Sequence, residues 1–83
     1  MDANEKFRQA LIKTLRETRK TRGLSHEKIA AKANISRQTL GKIESGQTNP
    51  TMLTMFKITS AMGMTLEEFT QEMKANLLTL GNG

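Results

Sequence analysis

Cysteine, tryptophan and tyrosine are absent from this 83-residue chain, which holds one proline, one histidine and three phenylalanines. Without cysteine no disulfide or thiolate-metal site can staple the fold. Stability must come from a small core of aliphatic side chains, methionine and phenylalanine, in a chain whose length buries only about 60% of its unfolded surface. The missing thiols fit a reducing compartment. No apolar run approaches the ~18 residues of a membrane span, and the start Met1-Asp2-Ala3-Asn4-Glu5 lacks a basic-then-apolar leader pattern. A soluble cytoplasmic protein without membrane association is expected. Catalysis is disfavoured too: there is one histidine, no glycine-rich phosphate loop and no carboxylate pair beside an obvious pocket. No metal or other cofactor is expected.

What the chain has in excess is positive charge, unevenly placed. Residues 6–57 carry twelve of the thirteen Lys and Arg against three carboxylates, Glu17, Glu27 and Glu44. Both ends are acidic, through Asp2 and Glu5 on one side and Glu67, Glu68 and Glu72 on the other. A basic body of this kind suits a polyanion, because neutralising phosphates supplies much of nucleic-acid affinity. A solvated basic face that aids solubility is the bland alternative.

Apolar spacing and end signals predict five helices in one domain spanning 1–83, with no alternating stretch that reads as a strand. The first covers about Asn4 to Arg22, with Phe7, Leu11, Leu15 and Thr18 on one face, and stops at Gly23, which takes a left-handed C′ without strain. Ser25 caps the second, which carries Ile29, Ala30 and Ala33 and closes near Asn34. Ser36 opens the third, which runs to Ser45 with Leu40 and Ile43 inward. Residues 46–50, Gly-Gln-Thr-Asn-Pro, read as a loop. Thr51 caps a fourth helix whose inner stripe is Met52, Met55, Phe56, Thr59 and Met62, ended by Gly63. Thr65 to Glu68 form a capping box for a fifth helix over 65–80, bearing Phe69, Met73, Leu77 and Leu80. Gly81-Asn82-Gly83 read as a frayed end. The six methionines read as core filler rather than as an adaptable surface.

Residues 26–45 carry the functional signal. Small Ala30 permits close helix approach, Asn34 tolerates a left-handed turn, Ile35 plugs the angle, and Leu40 and Ile43 seat the second helix. Arg37, Gln38, Thr39, Gly41 and Lys42 are left facing outward from a helix start. That is the helix-turn-helix pattern, whose second helix offers its early residues to base edges in the major groove. Arginine bonds guanine bidentately and glutamine bonds adenine likewise, so Arg37 and Gln38 lead the candidates for base contacts, followed by Thr39 and Lys42. Gly41 costs helix stability, roughly 1 kcal/mol against alanine; close approach to DNA and a tolerated defect both account for it.

The runs Leu24-Ser25-His26-Glu27-Lys28-Ile29-Ala30, Ile35-Ser36-Arg37-Gln38-Thr39-Leu40, Ile43-Glu44-Ser45-Gly46 and Asn49-Pro50-Thr51 resemble the phage Cro/repressor-type helix-turn-helix family, also called the XRE family. The likeness covers about residues 8–70. It implies an all-α, compact five-helix lambda-repressor-like DNA-binding domain, usually a homodimer on a palindromic operator, acting in transcriptional control. It implies a structural ion pair between Arg19 and Glu44, and phosphate contacts from Ser25, His26, Ser36, Ser45, Thr48 and Asn49, with the 45–49 loop using its backbone N–H groups and small polar side chains. The family often has glutamine where this chain has His26, which leaves that residue either a phosphate contact or a surface residue.

The apolar line of the last helix has two readings. It folds back on the first helix, or it meets a second subunit. The family's dimers use this end, which makes Leu66, Met73, Leu77 and Leu78 the expected dimer seam, with Phe69 in the core. The alternative function is a protein-partner module, such as an antitoxin whose DNA binding serves its own regulation.

Overall fold

The computed structural model describes residues 2–81, and every helix in it starts at a side-chain cap. Asp2 accepts from the Glu5 N–H at 2.8 Å and opens α1 (Ala3–Thr21). Ser25 accepts from the Lys28 N–H at 3.1 Å and opens α2 (His26–Ala33). Ser36, bonded by the Thr39 N–H at 2.9 Å, opens α3 (Arg37–Glu44), and Thr51 does the same at 3.0 Å for α4 (Met52–Ala61). Each oxygen satisfies an amide that has no partner inside its helix.

The fifth start is reciprocal. Thr65 Oγ1 accepts from the Glu68 N–H at 3.0 Å, while Glu68 Oε1 accepts from the Thr65 N–H at 2.9 Å, opening α5 (Leu66–Gly81). The backbone bond from Thr65 holds the Glu68 carboxyl below its ordinary value, so this support is present above the usual carboxylate range and fades as acid titrates the group. Thr65→Ala is expected to lower stability by about 1 kcal/mol, read in a thermal melt as a fall of about 4–8 °C.

One core joins all five helices. Leu11 and Leu15 of α1, Ile29 of α2, Leu40 and Ile43 of α3, Met55 and Ile58 of α4, and Phe69 and Met73 of α5 are all buried in it. Polar ties supplement the packing of α1 on α5: the Thr14 hydroxyl accepts from Asn76 Nδ2 at 2.8 Å, and Thr18 donates to Glu72 at 3.1 Å. Arg22 reaches across to the Met62 carbonyl at 3.0 Å and closes the end of α4. Among the described residues there is no strand, and no helix is long and apolar enough to cross a membrane.

Several expectations need correction. The inner stripe of α4 is Met55, Ile58, Thr59, Ala61 and Met62, whereas Met52 and Phe56 stand exposed at 77% and 54%. The helix is apolar on most sides, so its sequence fits two registers, and packing against α2 and α5 selects the one containing Ile58. Phe7 is likewise exposed rather than core, lying on the wall of an open groove that it shares with Leu11, Met52, Met55 and Leu66. Met55, Met62, Met64 and Met73 do fill the core; Met52 does not, and Met1 lies outside the described residues. Met73 is 4% exposed and packed within its own chain, which removes it from any seam with a second subunit. Leu66 and Leu77 pack partly against the core, and Leu78 is exposed. The frayed end expected from Gly81 is also corrected, since α5 runs through that residue; Asn82 and Gly83 lie outside the described residues.

Candidate nucleic-acid interface

Between α2 and α3 the chain turns in three residues. Asn34 takes the left-handed conformation (φ 56°, ψ 47°), and its N–H and that of Ile35 return to the last carbonyls of α2. Ile35 packs against the core, and Ser36 caps the next helix. A turn this short fixes the two helices as one unit.

Leu40, Ile43 and Glu44 take the inner face of α3, leaving Arg37, Gln38 and Lys42 exposed and Thr39 and Gly41 half-buried. A Cβ at Gly41 would meet nothing within 4 Å, so contacts inside the chain do not require glycine there. The Ser36 hydroxyl donates to Thr39 Oγ1 at 2.7 Å and accepts the Thr39 N–H. The Ser36 side chain is thereby committed to its cap, and the Thr39 hydroxyl keeps its own hydrogen for the outside.

Arg37 lies against Glu27, Nε to Oε1 at 2.7 Å, with the two side chains 67% and 64% exposed. The Glu27 carboxyl is held below its ordinary value first by its own backbone N–H and then by the Arg37 charge, so the pair is ionised at neutral pH. An exposed pair of this kind is screened by salt and breaks readily. Glu27→Gln removes both a restraint on Arg37 and a negative charge from this face. It is expected to raise affinity for any duplex by about two- to threefold at low salt, with the gain vanishing as salt shortens the screening length; fluorescence anisotropy at two salt concentrations measures it.

The flanks differ from what the family likeness implied. After α3 the N–H groups of Ser45, Gly46, Gln47 and Thr48 all turn back to carbonyls of α3, those of Gly41, Ile43 and Lys42, and the Ser45 hydroxyl donates to Lys42 O at 3.1 Å. The end of a helix leaves carbonyls without partners, and this loop supplies the donors. What the loop presents outward is therefore the exposed side chains of Gln47, Thr48 and Asn49. Gly46 adopts φ 82°, and a Cβ on it would meet Ile12 Cδ1 of α1 at 3.0 Å, so no larger residue fits this turn without displacement. At the other flank Ser25 is exposed, its oxygen serving as the α2 cap.

Beneath this surface lies Glu44, buried at the end of α3. Its two oxygens accept from Arg19 Nε at 3.0 Å and Arg19 Nη2 at 3.2 Å, while Arg19 Nη1 donates to the Leu24 carbonyl at 3.2 Å. His26, at the first turn of α2, brings Nε2 to 2.7 Å from Glu44 Oε2, and Arg16 Nε stands 3.8 Å away. One carboxylate thus ties α1, the α1–α2 turn, the start of α2 and the end of α3. The His26 ring is half-buried and belongs to this cluster through Nε2. No three His, Cys, Asp or Glu side chains come together as metal ligands among the described residues.

Comparison with known proteins agrees with the geometry. A family model described as helix-turn-helix matches residues 15–69. An uncharacterised HTH-type transcriptional regulator of Haemophilus influenzae is 36% identical over 60 residues, which is 72% of this chain and 61% of that protein. The HTH-type transcriptional regulator DdrOP3 of Deinococcus deserti is 40% identical over 58 residues, 70% of this chain and 45% of that protein. The chain spans about three fifths of the length of the first relative and under half of the second. The crystal structure of the clp gene regulator ClgR from Corynebacterium glutamicum superposes with a TM-score of 0.83, covering 92% of this chain and 81% of that one; at 20% identity the match speaks for the fold. The three-residue turn, the capped outer helix and these matches lead to one conclusion: the chain belongs to the Cro/repressor-type, or XRE, helix-turn-helix family of transcriptional regulators.

Proposed function

We propose that this chain is a sequence-specific DNA-binding transcriptional regulator that lays α3 in the major groove. The observation that carries the reading is the outer face of α3, where Arg37, Gln38 and Lys42 are exposed at a capped helix start while Leu40, Ile43 and Glu44 seat the helix from behind. Arg37 and Gln38 read base edges, Thr39 and Lys42 reach a base or a phosphate, and the phosphate contacts come from Ser25, His26, Thr48 and Asn49. The open space at Gly41 lets the helix approach the duplex closely. Residues 1–83 are read as one domain with the helix-turn-helix at 26–45.

The same reading makes the protein a homodimeric repressor on a palindromic operator, its two reading helices about 34 Å apart. Apolar side chains that the single chain leaves uncovered support an association of this kind: Leu78 on α5, Leu53 and Phe56 on α4, and Phe7 and Met52 at the groove they share with Asn49 and Pro50. The second reading, a protein-partner module such as an antitoxin, draws on those residues too.

Selection of duplexes from a random library, followed by anisotropy with the selected and a scrambled duplex, tests the proposal. Enrichment of a palindrome bound by two chains in light scattering supports it, and a reporter driven from that site reads the sign of regulation. Enrichment of nothing, with equal salt-sensitive binding to every duplex, would overturn sequence-specific regulation and leave the protein partner.

A further inference from the structure

We propose that His26 couples DNA binding to proton uptake: its ring, fixed on Glu44 through Nε2, meets a backbone phosphate through Nδ1 only as an imidazolium. This rests on the DNA-binding reading above and goes beyond it. Both Glu44 oxygens already accept from Arg19, so the group facing His26 at 2.7 Å is an acceptor and Nε2 must carry the hydrogen. In the neutral ring the other nitrogen then holds a lone pair. A lone pair repels a phosphate oxygen; a second N–H binds it. Nδ1 has no hydrogen-bond partner among the described residues and is not sealed from water, with the side chain 29% exposed beside Ser25 at the start of α2.

The charges around the ring decide when the second proton arrives. Glu44 faces it from α3, but that carboxylate is shared with Arg19 and Arg16 of α1. Glu27 adjoins it on α2 and is engaged by Arg37 of α3. Each nearby carboxylate therefore has an arginine of its own. A phosphate at Nδ1 adds negative charge directly against the ring, and it favours the imidazolium in the complex over the imidazolium in the free protein. Binding then takes up a proton. The sign follows: affinity is greatest below the titration midpoint of the free ring and falls as pH rises through the midpoint of the bound ring.

The chain has one histidine, so the ring proton on Cε1 can be followed by NMR without ambiguity, free and bound to the duplex recovered by selection. The midpoint is expected to lie higher in the complex than in the free protein, with about a tenfold loss of affinity per ring between pH 5.5 and 8.5. The slope of log affinity against log salt should fall by about 0.9 per ring over the same range, because one phosphate contact is lost. His26→Gln keeps a donor and an acceptor but cannot titrate, and its affinity should be flat with pH. Equal midpoints in free and bound wild-type protein, or a wild-type pH profile parallel to that of His26→Gln, would overturn proton linkage and leave DNA binding standing. Should His26→Gln melt before the binding measurement, the wild-type titration decides alone. If no duplex is enriched by selection, the DNA-binding reading fails and proton linkage fails with it.

Discussion

Glu44→Ala is expected to lower the unfolding free energy by about 3–5 kcal/mol, the usual cost of leaving one partner of a buried ion pair uncompensated. The substitution removes the acceptor that Arg19 and His26 share, and with Arg16 it leaves three basic side chains facing one another beneath the reading helix. Arg16 is half exposed and can turn to solvent, whereas Arg19 is 16% exposed and stays bound to the Leu24 carbonyl. The loss therefore comes chiefly from Arg19. Small domains hold only about 5–15 kcal/mol in total, and each kcal/mol moves the midpoint of a domain this size by about 4–8 °C. A fall of about 15 °C or more is expected in a melt followed by circular dichroism at 222 nm.

The reverse deletion should cost less. In Arg19→Ala the carboxylate keeps His26 at 2.7 Å and Arg16 at 3.8 Å, so part of its charge remains balanced. Glu44→Gln keeps the shape and one acceptor, and should fall between the two. A melting curve for Glu44→Ala within a few degrees of wild type would show that the cluster is ornament to the fold rather than its clamp.

Local signals were legible in the sequence and distant ones were not. A cap is a bond between a side chain and an amide three residues on, so Ser25, Ser36, Thr51 and Thr65 announced their helices without knowledge of the rest. Asn34 was legible for the same reason, since left-handed backbone is a property of one residue in a short turn. The bond from His26 to Glu44 joins residues 18 apart, and that from Asn76 to Thr14 joins residues 62 apart; no spacing rule encodes either. The family likeness supplied the Arg19–Glu44 pair but gave no guidance at His26, where this chain departs from the pattern. In α4 the sequence was legible as a helix but not as a register, because apolar residues on nearly every side make two inner stripes equally plausible until α2 and α5 are in place. In the loop after α3 the amides of residues 45–48 turn to the carbonyls at the end of α3, which the end of the helix leaves without intrahelical donors, and composition alone does not announce that closure.

Arg37→Ala is expected to weaken binding to the selected duplex by about 1–3 kcal/mol and to flatten preference at one base pair in each half-site. Arg37 stands exposed at the first position of α3, and its guanidinium is paired with the exposed carboxylate of Glu27. That tether is open to water and salt, so a guanine that offers two acceptors displaces it readily. The alanine variant should keep the wild-type melt, because neither partner of the pair is buried. Gln38→Ala should act at a neighbouring base pair, since its side chain is exposed on the same turn. Lys20→Ala gives the contrast. Lys20 is an exposed residue of α1, and its loss should at most weaken binding evenly across sequences and lower the salt slope by about one contact. Anisotropy on the selected duplex and on every single-base variant of one half-site separates the two patterns. If Arg37→Ala and Lys20→Ala produce equal losses on all of these duplexes, the bases are read by some face other than that of α3.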